Sequence, residues 1–357
     1  MPRNPKLTLS VVKIDPGGFV GHTSSHPDII DTAKERLYNE REKARITDFH
    51  VLRCGTDIDL VITHYGGCSS PEVRAIALAT HAACIEAARE LKLSPPDNAR
   101  PGGPCLVEME FVERESEPVV VLMANKTSTG AWNLPLYKTF ADPFNTAGLV
   151  LDPTMFEGFS FRILDVNGAA EMTLSAPRDI YALLTLVGIT SRYVISSVCR
   201  NSDNEQAAAV STASLRPDGG IVPCSENPVL VLRCQEGFPA VGEAMESFSL
   251  PHLVAGWMRN LHSGPLMPVP FYEANPTRFD GPPRIIGAGF QVSNGRLIGP
   301  HDMFDDPSFD ETRRLANVIT EYMRRHGPFH PHLLPQAEGA HRTLPIVLNR
   351  LKQRLGG

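Results

Sequence analysis

Strand-like and helix-like apolar runs alternate in mixed order along this chain, and that order is the tightest constraint on its fold. Residues 7–14 (LTLSVVKI) read as a strand. Residues 28–44 read as a helix, with Pro27 just before its start and Ile29, Ile30, Ala33 and Leu37 near helical spacing. Strands are expected at 49–52 and 60–63, an alanine-rich helix at 71–91, and a loop at 94–104 (SPPDNARPGGP). Residues 107–112 and 119–123 read as an antiparallel pair closed by the polar turn ERESE. Further strands are expected at 159–166, 170–174, 193–199, 207–211 and 229–233. Further helices are expected at 178–187, 241–248 and 310–325, with a short one in the final LPIVLNRLKQRLGG. This mixture fits an α+β layered sandwich with largely antiparallel sheets better than a doubly wound parallel sheet.

The chain of 357 residues is 42% hydrophobic, enough for a sizeable core, and is read as one domain over residues 1–357. Lys and Arg number 34 against 40 Asp and Glu, a net charge of −6, which argues against nucleic acid or an anionic membrane as partner and leaves a small molecule. No run of eighteen apolar residues appears, and MPRNPKLTLSVVKID has no signal-like apolar core, so a cytoplasmic protein is expected. Seven cysteines without CxxC spacing argue against a disulfide framework and a zinc ribbon, and most are read as small buried apolar residues.

Residues 124–158 follow the strand-like run PVVVLM and hold many turn formers together with Lys126, Trp132, Tyr137, Lys138, Asp142 and Asp152. A loop of this length inside a compact protein points to function. Asp15 follows the first strand and His22 lies in the turn PGGFVGH; the pair suits a shared cation, but alone such a pair is more often a turn cap beside a structural histidine. Asp57 and Asp59 lie beside the strand at 60–63.

The segments NLPLYKTFADPFNT, GWMR, TRFDGPPR, FDDPSFDETRRLAN and YMRRHGPF, in this order, closely resemble the fructose-1,6-bisphosphate aldolase/phosphatase family of archaea and deep-branching bacteria. The similarity runs from about residue 7 to about residue 354. It implies a four-layer α-β-β-α sandwich assembled as a homo-octamer. It also implies one site that joins two triose phosphates through a lysine Schiff base and then removes a phosphate with several magnesium ions.

Carried over position by position, the resemblance assigns Asp15, His22 and Asp57 to metal-site positions, with Thr56 where the family has a second aspartate. Asn125 stands for another aspartate, and Lys126 matches a phosphate-contacting lysine. Gln235, Arg278, Asp280 and Arg284 match sugar-phosphate or site-building positions, and Tyr137 joins them as a substrate-binding candidate. The family's Tyr-Val-Gly-Lys-Asp-Asp-Pro is here Val222, Pro223, Cys224, Ser225, Glu226, Asn227 and Pro228, so the acid/base tyrosine and the Schiff-base lysine are replaced. His341 takes the place of a further tyrosine.

Serine forms no iminium, so the family's covalent step is not expected. The remaining Asp15, His22 and Asp57, with Glu226, suffice for one magnesium ion at most, because clustered dications need many anionic ligands. The leading reading is a divergent enzyme of lyase, dehydratase or cyclase type that uses the inherited pocket on a different substrate. His341, His22 and Glu226 are its acid/base candidates, and Lys126 and Arg278 its electrostatic stabilisers. Two alternatives are a non-catalytic sugar-phosphate-binding or scaffolding homologue and a fructose-1,6-bisphosphatase with a reduced metal site. Cys224 is read as a passive small residue.

Overall fold

The computed structural model describes residues 5–20, 23–95, 103–167, 170–190, 192–216, 218, 220–224, 227–258, 262–275, 281–326 and 344–355. The chain begins with β1 (Lys6–Ile14), α1 (Pro27–Glu42), β2 (Asp48–Cys54), β3 (Asp57–His64), α2 (Pro71–Glu90), β4 (Cys105–Val112) and β5 (Glu117–Asn125). It continues through α3 (Asn133–Ala141), α4 (Gly148–Leu151), β6 (Phe159–Asp165), β7 (Ala170–Ala176), α5 (Ile180–Val187), β8 (Tyr193–Arg200), β9 (Gln206–Val210), β10 (Ala213–Leu215) and β11 (Ile221–Pro223). The remainder holds β12 (Val229–Arg233), α6 (Val241–Glu246), β13 (Leu253–Met258), β14 (His262–Pro265), β15 (Met267–Pro268), β16 (Arg284–Ser293), β17 (Arg296–Asp302), α7 (Asp310–His326) and α8 (Leu344–Leu355). No helix among the described residues is long and apolar enough to cross a membrane.

Two large sheets carry the fold. One has the order β11-β10-β4-β1-β3-β2, and the other runs β15-β16-β5-β12-β9-β8-β6-β7 with β17 on β16. Side chains alternate across each strand, so each sheet offers two apolar faces. Leu7, Leu9, Val11, Val61, Val107 and Met109 of the first sheet pack against Val119, Val121, Met123, Val231, Ile286 and Ala288 of the second. The outer face of the first sheet, with Val12, Ile14, Leu60 and Ile62, is covered by Ile29, Ala33 and Leu37 of α1 and Ile76, Ala77 and Cys84 of α2. The outer face of the second, with Val120, Leu122, Leu230 and Leu232, is covered by α3, α5, α6 and α8 through Leu136, Phe140, Leu183, Leu186, Met245 and Leu351. Three stacked cores give four layers, α-β-β-α, as the α+β reading expects. Each buried aliphatic side chain contributes roughly 2 kcal/mol to holding the layers together.

Two readings of the sequence are corrected. The expected hairpin between 107–112 and 119–123 does not form: β4 pairs with β1 and β10 in the first sheet, while β5 pairs with β12 and β16 in the second. The connecting residue Arg114 explains the crossing. Its guanidinium donates to both carboxylate oxygens of Glu117 and to the carbonyls of Cys234 and Gln235 beyond β12, so the turn is tied to the second sheet. The stretch 124–158 is likewise no long loop, since it holds α3, α4 and two short 3-10 turns. Pro135 lies in the first turn of α3, where a missing N–H costs nothing, so the helix tolerates it.

Candidate functional site

At one end of the space between the two sheets, strand alternation turns a row of polar side chains inward. Lys13 follows Val11 on the inner face of β1 and lies opposite Asp59 of β3 on one side and Cys105 of β4 on the other. Asp59 and Asp57 continue the inner face of Val61, and Asp57 pairs with Cys54 at the end of β2. Across the gap, Asn125 continues the inner face of Met123 and lies opposite Arg284, the first residue of β16. Asp57 is 2% exposed, Asp59 1% and Lys13 8%, so these charges are almost wholly out of water. Buried charges persist only when paired or hydrogen-bonded.

The pairing is visible. Asn227 Nδ2 donates to Asp57 Oδ2 at 2.8 Å, and Lys13 Nζ lies 4.0 Å from the same oxygen. Asn227 is held by Thr127, whose N–H donates to Asn227 Oδ1 at 2.9 Å while the Asn227 N–H donates to the Thr127 carbonyl at 2.9 Å. Trp132 Nε1 donates to the Pro228 carbonyl at 2.9 Å and fixes the same turn. Asn227 has φ 47°, a left-handed conformation that asparagine tolerates better than most residues. Asn125 Nδ2 donates to the Cys54 carbonyl at 3.2 Å. Asn125 Oδ1 and Asp59 Oδ1 are buried without a hydrogen-bond partner among the described residues.

Burial, reinforced by the neighbouring Asp57 charge, pushes the Asp59 carboxyl well above the usual range, and Lys13 offsets only part of this. Burial and the same two aspartates push the Cys54 thiol up. Burial lowers the Arg284 guanidinium, although Glu273 and Cys54 pull the other way.

Of the sequence candidates, Asp57 pairs with Cys54 and Arg284 lies near the same Cys54, with Lys126 next in the chain after Asn125 and itself at φ 64°. Asp15 follows β1, and its Oδ1 accepts the Gly17 N–H at 3.0 Å. Tyr137 packs on the helix-side core of the second sheet, and burial with the Asp142 charge raises its phenol. Gln235 is exposed and lies past Arg233, at the opposite end of the β12–β5 pair from Asn125. His22, Glu226, Arg278, Asp280 and His341 lie outside the described residues. A groove of about 500 Å³ lined by Tyr38, Phe49, His50 and Val51 sits on α1 and β2, apart from this cluster.

Lys13 and Asp59 were not singled out as site residues, yet both are legible as charged residues at positions of LTLSVVKI and DIDLVITH where alternation demands an apolar inner face. Cys224 is also corrected: it is not a passive thiol but forms a disulfide with Cys105. Short β10 bridges the two, pairing Ser214 with Cys105 and Ala213 with Pro223, and a separation of 119 residues hides this from the sequence.

No group of three or more histidine, cysteine, aspartate or glutamate side chains among the described residues is placed to hold a metal ion. Asp57 Oδ2 accepts from the Asn227 amide at 2.8 Å and lies 4.0 Å from the Lys13 ammonium. Magnesium needs several anionic oxygens, and two of the candidate ligands, His22 and Glu226, lie outside the described residues.

A family model described as fructose-1,6-bisphosphatase matches residues 6–356. Among characterised relatives, the fructose-1,6-bisphosphate aldolase/phosphatase of Sulfurisphaera tokodaii is 49% identical over 98% of this chain and 94% of its own. The proteins of the same name from Moorella thermoacetica and Methanothermobacter marburgensis are 48% and 47% identical over 98% of this chain, covering 94% and 98% of theirs.

Proposed function

The chain belongs to the fructose-1,6-bisphosphate aldolase/phosphatase family, and from that premise we propose an enzyme that acts on an anionic carbonyl compound by proton transfer, without an amine–carbonyl covalent intermediate. The observation that carries this reading is the contact of Asn227 with Asp57 at 2.8 Å, beside Lys13 at 4.0 Å. The charge of Asp57 is met from within the chain, by an amide and an ammonium.

Roles follow from charge and position. Arg284 and Lys126 flank Asn125 at the strand ends and suit a phosphate or carboxylate of the substrate, as well as negative charge growing on a carbonyl oxygen. His341, His22 and Glu226 are the acid/base candidates, because removal of a proton beside a carbonyl needs a group that titrates near neutrality. Lys13 is committed to Asp57, and Ser225 stands where the relatives' family pattern has its Schiff-base lysine, so no amine is assigned a covalent role. The same pocket bound by a sugar phosphate without turnover is the non-catalytic alternative. The relatives' names favour a second enzymatic reading, a phosphatase of fructose 1,6-bisphosphate; that it would work with fewer metal ions is inferred from the replaced aspartates.

Borohydride trapping with dihydroxyacetone phosphate tests the absence of the covalent step. The intact mass is expected to stay unchanged, while the phosphate ester raises the melting temperature of wild type and not of Lys126→Met. A reduced adduct on any lysine would overturn the proposal.

A further inference from the structure

Next to the buried charges lies a bond that the proposed chemistry does not use. Cys105 sits on the inner face of β4 directly opposite Lys13, and its sulfur is bonded to Cys224, just past the end of β11. Three residues beyond Cys224 comes Asn227, the donor to Asp57. The backbone N–H of Cys224 is held by the Thr212 carbonyl, so the disulfide and one turn contact fix the start of the segment that delivers Asn227.

The remaining cysteines, Cys54, Cys68, Cys84, Cys199 and Cys234, are all free thiols. A chain with five free thiols and one bridge is not built as a disulfide scaffold, and in a reducing compartment an isolated bridge is usually transient or redox-sensing. Cys105 is 8% and Cys224 4% exposed, so exchange requires local opening at β11. β11 is a three-residue strand that, among the described residues, lies at the edge of its sheet beside β10, and Ile221 is 53% exposed. Local opening of such an edge costs far less than opening the centre of a sheet.

We propose that Cys105–Cys224 is a thiol–disulfide switch that controls the placement of Asn227 against Asp57, operated by exchange with a dithiol. A thiolate of the dithiol attacks one of the two sulfurs, breaking the Cys105–Cys224 bond and forming a mixed disulfide, which the second thiol of the dithiol resolves. The dithiol gives up two electrons and becomes a disulfide. Cys105 and Cys224 take up those electrons with two protons as thiols. Reduction removes the covalent tie between β4 and Cys224, three residues before Asn227 and its paired hydrogen bonds with Thr127. This does not depend on the substrate.

The test uses the full chain treated with oxidised glutathione or with dithiothreitol. Maleimide labelling under denaturing conditions should count five thiols in the first sample and seven in the second. Amide hydrogen exchange at Thr127 and Asn227 should be about tenfold faster after reduction. The Cys105→Ser/Cys224→Ser variant should exchange at the fast rate under both treatments, and wild type alone decides the matter should that variant not fold. Seven labelled thiols in the glutathione-treated protein, or equal exchange at Thr127 and Asn227 in both redox states of wild type, would overturn the proposal.

Discussion

Asn227 reaches across 170 residues of sequence to place its amide nitrogen 2.8 Å from Asp57 Oδ2. An amide at this position neutralises nothing, but it donates a hydrogen bond that a second carboxylate could not. With Lys13 at 4.0 Å, it leaves Asp57 compensated by the chain itself.

Replacing Asn227→Asp therefore sets two carboxylates against each other in a buried site. We expect a loss of about 2 kcal/mol when EDTA is present. Magnesium should restore part of it by binding the new pair. Melting temperatures with EDTA and with excess magnesium should be equal for wild type and unequal for the variant. An equal magnesium effect on both would contradict this view of Asp57.

At the other end of the strand pair, Arg233 and Glu117 are both 0% exposed and joined by two hydrogen bonds of 2.8 Å. Burial alone would raise the Glu117 carboxyl, but hydrogen bonds from Arg233 and Arg114 outweigh it and hold the group below its usual range. Arg233→Met strands half of that charge in the core, and a loss of about 3 kcal/mol or more in urea unfolding is expected. A loss below about 1 kcal/mol would show that Arg114 alone carries the pair.

Acid should weaken the fold through His64. Its Nδ1 accepts the Gly66 N–H at 3.1 Å, so the proton is on Nε2, which donates to Ser10 Oγ at 2.8 Å. Ser10 in turn donates to Glu108 at 3.3 Å. The histidine faces Ser10 with a proton already in place, so this serine–histidine–glutamate row is a structural chain and not a nucleophile with its base. Burial depresses His64 from 6.5 to about 4. Below pH 6.5 the unfolded chain takes up a proton that the folded chain refuses, so stability is full above that pH and falls as pH drops towards 4. Roughly 3 kcal/mol is at stake. Urea midpoints measured across this window should fall less steeply for His64→Gln than for wild type, and parallel curves would exclude the effect.

Much of the architecture was readable because the cores obey simple periodicities. LTLSVVKI and DIDLVITH announce strands, and Ile29, Ala33 and Leu37 announce the helix that covers them. The pairing of β4 with β5 was misread because two apolar strands with a short polar turn look like a hairpin whether or not they share a sheet; only the Arg114 contacts decide it. The site was half legible. Asp57 and Arg284, named from sequence, both lie near Cys54, whereas Gln235 stands at the far end of its strand pair. Lys13 and the Cys105–Cys224 bond depend on which strands become neighbours, and no local pattern records that.

The most direct measurement is phosphate release from fructose 1,6-bisphosphate by the full chain, with magnesium and with EDTA, beside an Asp57→Ala control. An Asp57 already satisfied by Asn227 and Lys13 predicts no magnesium-dependent release. Magnesium-dependent turnover that Asp57→Ala abolishes would contradict the account and establish a working phosphatase with a smaller metal site.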